Sequence, residues 1–197
     1  LLKAIRAKPR TAGIYARLAR MHREQGNLPS CIKTLEDALV HFPDDKQTHL
    51  QLALAKISYD GQPNASVEAN LRSAFAIGDN NYDARFFLAE YLFWTGRTDD
   101  AQKIFDDLDR IAPSTYRTRS PRVDDEITSR LNGFSGTVVN RKERFFFIKS
   151  GSFPKPAFAF FDTLQDAEYE DLENGQKVSM KLRFNRQGPS AVGVKLI

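Results

Sequence analysis

The stretch YARLARMHREQGNLPSCIKTLEDALVHFP, residues 15–43, decides the fold, because its pattern returns as RFFLAEYLFWTGRTDDAQKIFDDLDRIAP at residues 85–113. Leu18 and Leu88, Ala19 and Ala89, Gly26 and Gly96, and Pro43 and Pro113 all stand seventy residues apart. Small or apolar pairs keep the same offset, Cys31 with Ala101 and Leu35 with Phe105. Leu52-Ala53 follow Leu18-Ala19 by thirty-four residues, so a further copy lies between the two. The register then slips by two, a shift that Gln62-Pro63 in a turn absorbs, and Val67, Leu71 and Ala74 continue the pattern. The units run over about 12–45, 46–81 and 82–115, and a period of this size signals stacked repeats.

Each unit reads as two helices joined by a tight turn. In the first, Tyr15, Leu18 and Ala19 share one helical face at i, i+3 and i+4. Gly26-Asn27 makes the turn, Cys31, Leu35 and Ala38 form the packing stripe of the second helix, and Pro43 ends it. The second unit is degenerate and lacks the closing proline. Period and residue types resemble the tetratricopeptide repeat. Residues 10–115 are then three such repeats, and Ala4-Ile5 followed by Pro9 resembles the end of another. That places residues 1–9 in the last helix of a truncated upstream unit and implies a natural protein that extends upstream.

The resemblance also assigns groove-facing positions on the first helix of each unit. They fall on Arg20, Arg23 and Glu24 in the first unit and on Leu50, Leu54 and Ile57 in the second. In the third they fall on Phe86, Glu90, Phe93 and Trp94. The expected groove is largely apolar with a basic end and suits an amphipathic helix or peptide. The alternative is that the chain's own next segment fills it. Residues 116–133 supply a basic linker, with Arg117, Arg119 and Arg122, and a capping helix with Val123, Ile127 and Leu131 on one face.

From Phe134 onward short alternating apolar runs punctuated by Gly and Pro replace the helical pattern. Strands are expected at 134–140, 144–149, 156–161, 176–184 and 190–197. Five strands in so short a segment suggest a small closed barrel of the oligonucleotide-binding kind. The fold class is therefore multi-domain α plus β, a helical solenoid followed by a five-stranded barrel.

The residues of 134–197 resemble the cold-shock domain in order. Gly136-Thr137-Val138 resembles its first strand, Arg144-Phe145-Phe146-Phe147-Ile148 its first ribonucleoprotein motif, and Ala157-Phe158-Ala159-Phe160 its second. Leu172-Glu173-Asn174-Gly175-Gln176-Lys177-Val178 and Gly188-Pro189-Ser190-Ala191-Val192 resemble the entries of its last two strands. The usual glycine of the first motif is Phe146 and the usual valines of the second are Ala157 and Ala159, an exchange of volume within the core. The family's first-strand tryptophan is missing, and the histidine of the second motif is Phe160.

Alternation puts Phe145 and Phe147 on one face and Phe146 and Ile148 on the other. The resemblance implies that Phe145, Phe147, Phe158, Phe160 and Phe161 stack bases, and Arg141, Lys142, Arg144, Lys149 and Lys155 are the candidate phosphate contacts. Residues 134–197 hold ten basic and seven acidic residues, and five of the acids fall in one stretch from Asp166 to Glu173. The other reading has the aromatics packing on protein.

The 197 residues are 41% hydrophobic and 27% charged, with a net charge of +4, and no run is long and apolar enough for a membrane span. Cys31 is the sole cysteine, which rules out an intrachain disulfide and fits a reducing, cytoplasmic location. His22, His41 and His49 have no metal-ligand spacing, and neither a phosphate-cradling loop nor a nucleophile motif is present. The sequence thus points to a non-enzymatic adaptor with no cofactor, metal or small-molecule substrate. Its expected partners are single-stranded nucleic acid on the barrel and a protein or peptide in the groove. Two alternatives stay open, a pure protein-interaction module and the sensor end of a larger enzyme such as a nucleotide hydrolase.

Overall fold

The computed structural model describes residues 11–116 and 127–197. Residues 1–9, Arg117, Arg119, Arg122 and Val123, to which the sequence assigns an upstream helix, a linker and part of a capping helix, lie outside the described residues. The chain forms two compact units that divide between Leu88 and Ala89.

In the first unit, α1 (Gly13–Glu24) and α2 (Leu28–His41) form one hairpin, and α3 (Lys46–Asp60) and α4 (Ala65–Ser73) form the next. Gly26 turns the first hairpin at φ 72°, a left-handed conformation that a side chain would strain. Asn27 caps α2 by accepting the Ser30 amide at 3.1 Å, and Asp45 caps α3 by accepting that of Thr48 at 2.8 Å. Ala19, Cys31, Leu35, Leu52 and Ala55 make a shared core, and the small residues among them let three helices approach closely. The second hairpin has a longer turn, with Gly61 left-handed and Asn64 capping α4, and a second helix of only nine residues.

Asp79 replaces the missing proline as the lock after α4. Its carboxylate accepts Lys46 Nζ at 2.8 Å, the Ala76 amide at 2.7 Å and the Asn81 amide at 3.1 Å. Burial pushes this carboxyl up, but Lys46 and the two amides outweigh burial and hold it well below the usual carboxylate range.

The second unit begins inside α5 (Tyr82–Trp94) and continues through α6 (Thr98–Ile111) and a 3-10 turn at Thr128–Arg130 to five strands. These are β1 (Phe134–Val139), β2 (Phe145–Lys149), β3 (Ala157–Phe160), β4 (Lys177–Asn185) and β5 (Gly188–Leu196). The last turns of α5 and all of α6 belong to the same compact unit as the barrel. The described end of the expected capping helix is the 3-10 turn, with Ile127 and Leu131 buried beside it.

The strands close in the order β1-β2-β3-β5-β4, antiparallel except where β3 meets β5. Phe146 pairs with Ala159 and Ile148 with Ala157, and all four are fully buried. The large residue and the small ones thus face each other across one pair of strands, and the interior stays filled. Gly136 is required where β1 crosses β2. A Cβ there would come within 2.6 Å of both the Ile148 side chain and the Lys149 carbonyl oxygen.

One end of the barrel is shut by aromatic rings. Phe184 at the end of β4 stacks on Phe105 of α6, with centroids 5.4 Å apart and planes 8° from parallel. Phe93 of α5 meets Phe184 edge-on at 5.0 Å and also contacts Phe134 and Phe153. Polar contacts frame these rings. Gln102 donates to the Gln187 carbonyl at 3.1 Å, Arg186 pairs with Asp109 at 2.8 Å, and Lys155 pairs with Asp106 at 2.5 Å.

Two measurements check these assignments. Phe184→Ala should cost about 3–5 kcal/mol in denaturant unfolding, because it opens a cavity among rings that cannot collapse together; a loss under about 1 kcal/mol would refute the seal. Asp79 ionises more readily folded than unfolded, so its contribution is present above about pH 4 and fades as pH falls. The stability gap between the unaltered chain and Asp79→Asn should accordingly shrink from pH 6 to pH 2, and a constant gap would show that ionised Asp79 does not stabilise the fold.

Candidate functional site

The outer face of β2 and β3 carries the most distinctive surface of the second unit. Phe145 pairs with Phe160 and Phe147 with Phe158 across the strands, so four rings share one face while their neighbours Phe146, Ile148, Ala157 and Ala159 fill the barrel. The rings lean on one another edge to face. Phe145 and Phe147 are 5.8 Å apart, Phe147 and Phe158 5.8 Å, and Phe158 and Phe160 4.7 Å. All four are half-buried, and Phe161 beside them is 46% exposed. Partly exposed apolar rings are thus gathered on one face of the barrel.

The expected basic rim divides. Lys142, Arg144 and Lys149 are exposed beside the rings. Arg141 is instead committed to the fold. Its Nη2 donates to the Tyr169 carbonyl at 2.8 Å, and its guanidinium lies 4.6 Å from the Tyr169 ring centre. Lys155 is held by Asp106 on α6, because a turn between β2 and β3 brings it to that helix. Of the five candidate phosphate contacts, Arg141 and Lys155 thus have partners within the fold.

Tyr169 is the residue that sequence reading missed. It is buried, and its hydroxyl lies 2.7 Å from the Lys142 carbonyl and 2.9 Å from that of Phe145, which it bridges as donor. Burial pushes its hydroxyl pKa up, against the opposing pull of Arg141. It thereby fixes the start of β2, where the aromatic face begins. The only sequence signal is a lone tyrosine within an acidic run.

The expected groove positions differ in exposure. Leu50, Ile57 and Phe86 are buried, and Phe93 belongs to the ring cluster at the barrel end. Apolar side chains at these helix positions are consumed by packing, which leaves Leu54 and Trp94 partly exposed. Glu90 is buried as well. Arg20, Arg23 and Glu24 line a cleft of about 370 Å³ with Gln51, and Arg20 pairs with Glu24 at 2.8 Å. Cys31 borders this cleft from within the core, where burial pushes its thiol pKa up. His49 is structural, bridging Asn70 and the Pro43 carbonyl at 2.8 Å each. Among the described residues no three His, Cys, Asp or Glu side chains gather as a metal site, and no helix is long and apolar enough to cross a membrane.

Residues 12–56 and residues 61–117 each match a tetratricopeptide-repeat family model. The crystal structure of MamA matches with a TM-score of 0.50 at 18% identity, over 65% of this chain and 71% of that one. The MamA RS-1 ArsTM double mutant matches with a TM-score of 0.45 at 14% identity, over 53% of this chain and 57% of that one. At such identity the first likeness speaks to fold alone. Among curated proteins none matches the chain.

If Tyr169 anchors the aromatic face, Tyr169→Phe should lower stability by about 1 kcal/mol and broaden the amide signals of residues 142–147 in NMR spectra. Unchanged stability and sharp signals would show that the hydroxyl is dispensable.

Proposed function

We propose that this chain, whose helical part consists of tetratricopeptide repeats, is a non-enzymatic adaptor that holds a protein through the repeats and a single strand of nucleic acid on the barrel. The observation that carries the second half is the outward cluster of Phe145, Phe147, Phe158 and Phe160, with Lys142, Arg144 and Lys149 around it. Flat apolar rings offer each base a π-face whatever its identity, and cations beside them neutralise the backbone.

The strand order supports this reading. A five-stranded closed barrel in the order β1-β2-β3-β5-β4 puts β2 and β3 side by side, and that face is the binding surface of oligonucleotide-binding barrels. The resemblance of residues 134–197 to the cold-shock domain points the same way. The barrel departs from that pattern in having four phenylalanines and neither the tryptophan nor the histidine, so binding rests on stacking with little base selection.

Fluorescence anisotropy of the full chain with labelled oligodeoxythymidylate and oligouridylate tests the proposal at two salt concentrations. Phe147→Ala with Phe158→Ala should weaken binding at least thirtyfold, given about 1–3 kcal/mol for each stacked base. Unchanged affinity in the double variant, or no binding by the unaltered chain at low salt, would overturn the proposal. In the second outcome, the aromatic face would be assigned to a protein partner.

A further inference from the structure

A second cationic surface lies on β4 and β5, away from the β2–β3 rings. A cleft of about 540 Å³ there is lined by Gln165, Ser179, Lys181, Arg183, Gly193 and Lys195, with three basic residues and no acid. Lys181 and Lys195 are exposed, and neither has an ion-pair partner among the described residues.

The pairing register shows how these lysines come together. Lys181 pairs with Val192 and Ser179 with Lys195, so β5 holds one residue more than β4 over this interval. The extra residue sits at Gly193, whose φ of 57° is the left-handed conformation of a glycine bulge. Without it, continuing the pairing from Val192 would set Lys195 opposite Val178, which is fully buried inside the barrel. The bulge therefore turns Lys195 outward beside Lys181 and returns Val194 to the core, where it is fully buried. Asp166, the nearby acid, is used by the fold, its carboxylate accepting the Leu196 amide at 3.1 Å.

One short chain segment leads from the aromatic face to the cleft. Phe161 starts a 3-10 turn, and Gln165, four residues on, lines the cleft and donates its backbone N–H to the Val194 carbonyl at 2.9 Å. The path between ring and cleft is on the order of 10 Å. We infer that this cleft is a phosphate-binding track, on which Lys181 and Lys195 hold the backbone of a single strand that has left the phenylalanine face. The inference rests on the nucleic-acid reading of that face and adds length dependence to it. A strand long enough to span both surfaces gains two phosphate contacts, and a short one does not.

Labelled oligodeoxythymidylates of four and of sixteen nucleotides distinguish the two surfaces on the full chain. Lys181→Glu with Lys195→Glu should leave four-nucleotide binding within twofold and weaken sixteen-nucleotide binding at least tenfold. The milder Lys181→Gln, Lys195→Gln pair guards against misfolding; it should lower the salt slope for the longer strand by about 1.4, the value for two phosphates on single strands. Unchanged sixteen-nucleotide binding, or equal loss at both lengths, overturns the track while leaving the aromatic face standing. Failure of the unaltered chain to bind either length overturns the aromatic reading, and the track falls with it.

Discussion

The second unit depends on the packing of Phe184 between Phe105 and Phe93. A barrel of five short strands has an open end, and its interior must be kept from water. Here the rings of two helices do that, with the Arg186–Asp109 and Lys155–Asp106 pairs around them. The helices of the last repeat therefore have two tasks. They complete the helical array in sequence, and they close the barrel in space. This is why the compact unit that holds the barrel begins at Ala89, inside α5.

Closure from the helix side frees the rest of the barrel surface. Because Phe146 fills the interior opposite Ala159, the residues that alternate with them are forced outward, and these are the phenylalanines. An exposed aromatic face is costly in water unless something covers it for part of the time. Tyr169 and Arg141 hold the loop that enters this face, at the cost of one cation that would otherwise be available to a ligand. The glycine bulge on β5 then sets a separate pair of lysines on the neighbouring surface.

The helices and strands were legible because each rests on a local signal. The seventy-residue offset marks the hairpins, and period-two alternation marks strands whose observed ends, such as Phe145–Lys149 against 144–149, differ by a residue or two. The Phe–Ala exchange was legible for the same reason, since it needs only the two motifs. What stayed hidden depends on register over long separations. Nothing near Phe184 identifies Phe93 and Phe105 as its partners, nothing near Lys155 names Asp106, and the bulge at Gly193 appears only once β4 and β5 are paired. Burial at Leu50, Ile57 and Phe86 was not legible either, because the helix positions that would face a partner are the same ones that a stacked repeat can bury.

Base stacking on the barrel is read most directly from the phenylalanine rings themselves. Ring proton signals of the full chain, with Phe selectively labelled, should be followed during titration with a short oligouridylate. Phe145, Phe147, Phe158 and Phe160 should shift upfield together, as stacked bases shield them, while buried Phe146 and Phe184 stay in place. Shifts that spare those four rings, or saturate without any change in them, would contradict it.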